Sequence, residues 1–146
     1  MNSFIVRPME PEDVEAVALL EAEIFTRPWS RQGFLDAITG SSTIFLVAES
    51  HELLGYCGMY CGADEGEITN VAVGPSARRR GIGGALLDRL LMESRKAGIC
   101  NVILEVRVSN EEAIRLYQKK GFTVAGLRKN FYECPAEDGY VMSFSQ

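Results

Sequence analysis

Between Glu67 and Val106 the chain runs strand, glycine-rich loop, helix, strand, and this order restricts the fold more than any other feature. A short apolar strand over Glu67–Val73 enters a turn at Gly74-Pro75. Arg78, Arg79 and Arg80 follow, then Gly81, Gly83 and Gly84, and then a helix with Leu86, Leu87, Leu90 and Leu91 on its inner face. Gly98 suits the left-handed residue that closes a helix, and Asn101–Val106 reads as an apolar strand buried on both faces. A strand–helix–strand unit of this length makes the two strands parallel neighbours. Where parallel strands separate, the sheet opens a crevice at their carboxyl ends, and the glycine loop lies at that end. Glycines let main-chain N–H groups approach an anion unobstructed. A helix start adds unpaired donors and partial positive charge. On a chain of net charge −5, the three arginines make this spot locally cationic, so the physics describes a polyphosphate site.

The flanking segments fit around that unit. Phe4–Arg7 predicts a short strand, and Pro11 to about Phe25 an amphipathic helix carrying Val14, Val17, Ala18, Leu20 and Ile24. Pro28-Trp29-Ser30 interrupts it, and Ser30 can cap a second helix with Phe34, Leu35 and Ile38. Thr43–Glu49 and Leu54–Cys61 predict a hairpin around Ser50-His51-Glu52, with a second turn at residues 63–66. After Val106 come a helix from about Glu111 to Lys120, stopped by Gly121, and strands over Phe122–Leu127 and Tyr140–Ser145. The order β-α-α-β-β-β-α-β-α-β-β predicts an α/β fold, a mixed sheet with helices on both faces, in one domain spanning residues 1–146.

Composition excludes several classes. No apolar run reaches the roughly 20 residues of a membrane span, and the N-terminus lacks a signal peptide's pattern, which together predict a cytoplasmic protein. A pI near 5.0 argues against nucleic-acid partners, which need a broad basic face, and suits a cationic acceptor such as an amine. Cys57 and Cys61, four residues apart on one strand, stand roughly 13 Å apart, too far for one metal or a disulfide. With Cys100 and Cys134 they read as reduced thiols, and with His51 the lone histidine no metal site is predicted.

Three phosphate loops can be compared. A P-loop needs Gly, four residues, then Gly-Lys-Ser/Thr, which is absent. A dinucleotide fingerprint needs its first glycine directly after the strand, whereas seven residues separate Val73 from Gly81, and Leu86 occupies the third-glycine position. The run Arg78-Arg79-Arg80-Gly81-Ile82-Gly83 instead resembles the Q/R-x-x-G-x-G/A signature of the GNAT superfamily of acyl-CoA-dependent N-acyltransferases. That resemblance implies a GNAT-like fold whose loop amides bind the pyrophosphate of acetyl-CoA.

Further segments resemble one branch, the bacterial ribosomal-protein-alanine N-acetyltransferases of the RimI type. They are Pro28-Trp29-Ser30, Asn70–Val73, Leu104-Glu105-Val106-Arg107 with Ser109-Asn110, and Ala113-Ile114 with Leu116-Tyr117. Gly121-Phe122, Arg128 with Asn130-Phe131-Tyr132, and Glu137–Met142 continue the match. The resemblance implies direct acetyl transfer, in a ternary complex, to the α-amino group of a protein N-terminus, the N-terminal alanine of a small-subunit ribosomal protein.

Amine acetylation needs a group to take the amine's proton, stabilisation of the thioester oxygen, and a donor for the departing sulfur. Glu105, an isolated carboxylate in an apolar strand, shares its face with Ile103 and Arg107, and burial would penalise its charge; the resemblance makes it the base. The alternative is a structural pairing with Arg107 or an arginine elsewhere. Tyr117, protonated at neutral pH, matches the family's general acid, or packs in the core with Ala113 and Leu116. The resemblance gives the coenzyme to Val71, Ala72, Val73, Arg78, Arg79, Arg80, Gly81, Ile82, Gly83, Gly84 and Asn110, the last also a helix cap. It gives the acceptor groove to Trp29, Phe34, Tyr132 and Asp138, with Trp29 equally able to plug the core. Phe131 stands where the family commonly has the first tyrosine of a pair.

Overall fold

The computed structural model describes residues 3–133 and 135–146. Seven strands form one sheet in the order β1-β2-β3-β4-β5-β7-β6. They are β1 (Ile5–Pro8), β2 (Thr43–Glu49), β3 (Leu53–Gly62), β4 (Glu65–Val73), β5 (Asn101–Arg107), β6 (Thr123–Tyr132) and β7 (Glu137–Ser145). The helices are α1 (Val14–Ile24, entered through a 3-10 turn at Pro11–Asp13), α2 (Arg31–Thr39), α3 (Ile82–Lys96) and α4 (Glu111–Lys119). The predicted order holds throughout. The last two strands are longer than their apolar runs suggest, because their added residues, from Arg128 to Tyr132 and from Glu137 to Gly139, pair across a register shift and carry no apolar alternation.

All neighbours are antiparallel except β4 and β5. Their parallel pairing covers Glu65↔Asn101, Gly66↔Val102 and Glu67↔Ile103 and then stops. One cause lies in β4 itself. Gly58 pairs with Asn70 but Met59 pairs with Ile68, so Thr69 is the extra residue of a β-bulge, and a bulge bends its strand. Beyond it the two strands part and leave a crevice in the middle of the sheet.

Strand alternation splits the core in two. Leu46, Ala48, Cys57 and Met59 turn toward α3 and α4, where they meet Leu86, Leu87, Leu90 and Tyr117. Phe45, Val47 and Tyr56 turn the other way, onto Val14, Val17, Phe34 and Ala37 of α1 and α2. On β5, Val102, Leu104 and Val106 are buried while Ile103, Glu105 and Arg107 are only half-buried, so this strand is not covered equally on both faces: its second face borders the crevice. Cys57, Cys61 and Cys100 are free, Cys134 lies outside the described residues, and among the described residues no helix is long and apolar enough to cross a membrane.

Candidate active site

The parted strands line a cavity of about 910 Å3. Its walls are the carboxyl-terminal halves of β4 and β5, the loop before α3, α4, the α1–α2 connection, and the turn from β6 to β7.

At one end stands the glycine loop. Gly81 caps α3 with a left-handed φ of 77°, a conformation open to glycine at no steric cost. No side chain caps this helix; its first intrahelical bond in this turn runs from Ala85 N–H to the Gly81 carbonyl at 3.0 Å. The N–H groups of the opening turn therefore have no side-chain partner and face a cavity bordered by Gly81, Ile82, Gly83 and Gly84. Such a cradle fits an anionic pyrophosphate. Arg78 Nε donates to the Val73 carbonyl at 3.4 Å, holding the loop to the end of β4, and Arg79 takes a left-handed φ of 65°. Both arginines line the cavity, whereas Arg80 does not; its Nε is buried without a hydrogen-bond partner among the described residues. Val71, Ala72 and Val73 border the cavity with Asn110, whose Oδ1 also accepts from Ala113 N–H at 3.3 Å as the cap of α4.

In the middle are Glu105 and Tyr117, both lining the cavity. Tyr117 belongs to the core on the α3–α4 side and is 8% exposed, so packing and access to the cavity coexist. Burial raises its phenol above the ordinary value, so its proton stays on the oxygen at neutral pH. Glu105 departs from the expectation of an isolated carboxylate: Arg128 Nε lies 2.7 Å from its Oε2, with the glutamate side chain 21% exposed. The partner comes from β6, which the sequence reading ended one residue short of Arg128. Arg107 is engaged elsewhere. Its guanidinium donates to the carbonyls of Glu133 and Pro135, each at 2.9 Å, pairs with Glu137 at 3.2 Å and lies 4.5 Å from the centre of the Tyr132 ring. Arg107 thus fixes the β6–β7 turn, a duty its place beside Glu105 did not disclose.

Trp29 and Tyr132 also line the cavity, together with Phe25, Arg27, Phe131 and Glu133. Burial, and then the negative charge of Glu105, push the Tyr132 hydroxyl up to about 12. Trp29 is both wall and plug, because its ring also packs on Phe34 (5.1 Å) and Phe45 (6.1 Å). Phe34 and Asp138 do not reach the cavity. Phe34 is 1% exposed behind Trp29, and the Asp138 Oδ1 accepts from Asn130 N–H at 2.8 Å, bracing the turn from outside. Glu21, which sequence reasoning passed over, is on the wall. The available signal was its spacing, seven residues from Val14 and four from Val17 on the inner stripe of α1. Burial raises its carboxyl above the usual range, while a hydrogen bond from Trp29 N–H opposes the rise.

The chain is similar in sequence and fold to known proteins. The acetyltransferase (GNAT) family pattern matches residues 13–122. A Bacillus subtilis (strain 168) relative is 36% identical over 139 residues, 94% of this chain and 92% of that protein. The [ribosomal protein bS18]-alanine N-acetyltransferase of Escherichia coli (strain K12) is 33% identical over 134 residues, 92% and 89% of the two chains. The crystal structure of the ribosomal-protein-S18-alanine N-acetyltransferase from Escherichia coli superposes with a TM-score of 0.90 at 30% identity, over 98% of this chain and 94% of the other.

Proposed function

The chain belongs to the GNAT acetyltransferase family and is an N-acetyltransferase, and from that premise we propose that it moves the acetyl group of acetyl-CoA onto the α-amino group of a protein N-terminus. The acceptor in this reading is the N-terminal alanine of ribosomal protein bS18, the substrate carried in the name of its Escherichia coli relative, modified in the cytoplasm. The observation that carries the proposal is the crevice between β4 and β5. It brings an uncapped glycine-loop helix start, a carboxylate and a protonated phenol into one cavity whose lining also includes Trp29 and Tyr132.

Binding comes first. The opening amides of α3 receive the pyrophosphate, and the main chain of Val71–Val73 holds the pantetheine arm and offers an N–H to the thioester oxygen. The acceptor's N-terminus enters between Trp29 and Tyr132. Glu105 takes a proton from the ammonium group, through water, because a protonated amine has no lone pair. The amine nitrogen then attacks the thioester carbon, the C–N bond forms as the C–S bond breaks, Tyr117 passes its proton to the leaving sulfur, and the second proton shed by the new amide nitrogen restores the tyrosine through water. Arg128 offsets the charge of Glu105 through Oε2, and no ion pair among the described residues engages the other oxygen. No cysteine among the described residues lines the cavity, which supports direct attack over an acyl-enzyme.

The test is acetylation of peptides compared with amines. The purified protein is incubated with acetyl-CoA and an alanine-initiated peptide, the same peptide already blocked at its α-amine, and small amines. Product confined to the free N-terminus supports the proposal. Turnover of small amines or lysine side chains in preference to it transfers the site to a different acceptor.

A further inference from the structure

Glu21 takes no part in the transfer steps, yet it is buried on the cavity wall with 1% of its surface exposed. Its oxygens gather donors from three separate parts of the fold. The Tyr56 hydroxyl of β3 and the Asn70 side-chain amide of β4, the latter at 3.3 Å, both donate to Oε1. The backbone N–H of Trp29 donates to Oε2 at 3.0 Å. Burying a carboxylate costs free energy even when its oxygens are satisfied. An apolar residue would fill the same stripe of α1 beside Val14 and Val17 without that cost. What the carboxylate adds is a connection: Trp29 belongs to the α1–α2 segment at the acceptor mouth, and Asn70 directly follows the Thr69 bulge from which β4 bends away from β5.

We propose that Glu21 is a positioning residue for the acceptor, tying the Trp29 segment to the bulged part of β4 and so setting the width of the acceptor half of the crevice. The inference rests on the acceptor entering beside Trp29, as in the function proposed above. The glycine loop stands at the other end of the cavity, on α3, and none of its residues bonds to Glu21 among the described residues. Loss of Glu21 therefore separates the two substrates: the acceptor's KM changes and that of acetyl-CoA does not.

Trp29 is the single tryptophan of the chain, so its fluorescence reports this segment alone and needs no knowledge of the acceptor. The experiment combines acrylamide quenching with steady-state kinetics on wild type, Glu21→Ala, Glu21→Gln and Tyr56→Phe. Glu21→Ala is expected to quench more readily and to raise the acceptor KM by about tenfold, the loss of a charge-assisted hydrogen bond, with the acetyl-CoA KM unchanged. Glu21→Gln keeps an oxygen for Tyr56 and Asn70 but presents a donor to Trp29 N–H, so it falls between. Tyr56→Phe, which leaves the carboxylate and its Trp29 bond in place, gives a smaller shift of the same sign and serves if the alanine variant does not fold. Unchanged quenching, or KM values for the two substrates rising together, overturns the proposal. If the wild type modifies no peptide N-terminus, the reading of the acceptor fails. The quenching result then still decides the role of Glu21, with KM read on whichever amine is turned over.

Discussion

Glu105 reaches the cavity from the sheet face that carries α1 and α2, and Tyr117 from the face that carries α3 and α4. Their separation across the parted strands suits a base and an acid that act on opposite ends of one transfer. Glu105→Gln and Tyr117→Phe should each lower kcat by roughly a hundredfold or more while leaving the affinity for acetyl-CoA within experimental error. Calorimetric titration of each variant with acetyl-CoA, beside its rate, checks both halves. Rates near wild type for both would remove the two residues from the chemistry. The proposed role of Tyr117 as acid carries a further consequence. The Tyr117 phenol is raised by burial, so the donor remains protonated through the ordinary tyrosine range near pH 10. The high-pH limb of kcat should therefore not bend there on its account. The partner of Glu105 was not legible. Strand alternation gave its face, but Arg128 lies two strands away, across β7, and only the β5-β7-β6 order brings the pair together. Trp29 illustrates a different case: its ring packs on Phe34 and Phe45, as the core reading expects, and also lines the cavity.

At the scale of elements, the decisive piece is the loop before α3. Gly81 adopts a left-handed φ of 77°, and a Cβ placed there would meet nothing within 4 Å. The cost of replacing it is thus one of backbone conformation. Gly81→Val should lower stability by about 1–2 kcal/mol and weaken acetyl-CoA binding as the loop leaves its cradle geometry. Thermal melts with and without acetyl-CoA measure both effects, since a ligand raises Tm only in proportion to its binding. The second helix offers a simpler test. Ser30 Oγ accepts from Gly33 N–H at 3.0 Å, so Ser30→Ala should cost about 1 kcal/mol in a denaturant titration with little change in kcat. Both features were readable in sequence because helix caps and glycine loops are local. The strand–helix–strand unit was readable for the same reason. What escaped was non-local: the full length of the β6–β7 ladder, the insertion of β7 between β5 and β6, and the bulge at Thr69. Each depends on register between distant segments, which no local periodicity encodes.

For the whole molecule, charge links the fold to pH. Hydrogen bonds from Arg7 hold Asp13 and Glu49 below the usual carboxylate range. Arg89 does the same for Glu93, and Ser109 followed by Arg107 for Glu137. A carboxylate depressed in the folded state contributes stability above its unfolded pKa and loses it as pH falls through the folded value. Glu21, raised by burial, has the opposite sign, its contribution fading as pH rises. Four depressed groups against one give a Tm that drops as pH falls below about 4, and Asp13→Asn should flatten that drop in a melting series. The chain's net charge of −5 fits the proposed cationic acceptor, and the parted strands leave a cavity of about 910 Å3 in which the proposed reaction would take place. The most direct test of this assignment is mass spectrometry of a ribosomal bS18 protein with a free N-terminal alanine after incubation with the purified chain and acetyl-CoA. The account predicts a gain of one acetyl group, about 42 Da by composition, located on the α-amine and lost when Glu105→Gln replaces the wild type. An unmodified α-amine, with acetyl groups on lysine side chains or on none, would contradict it.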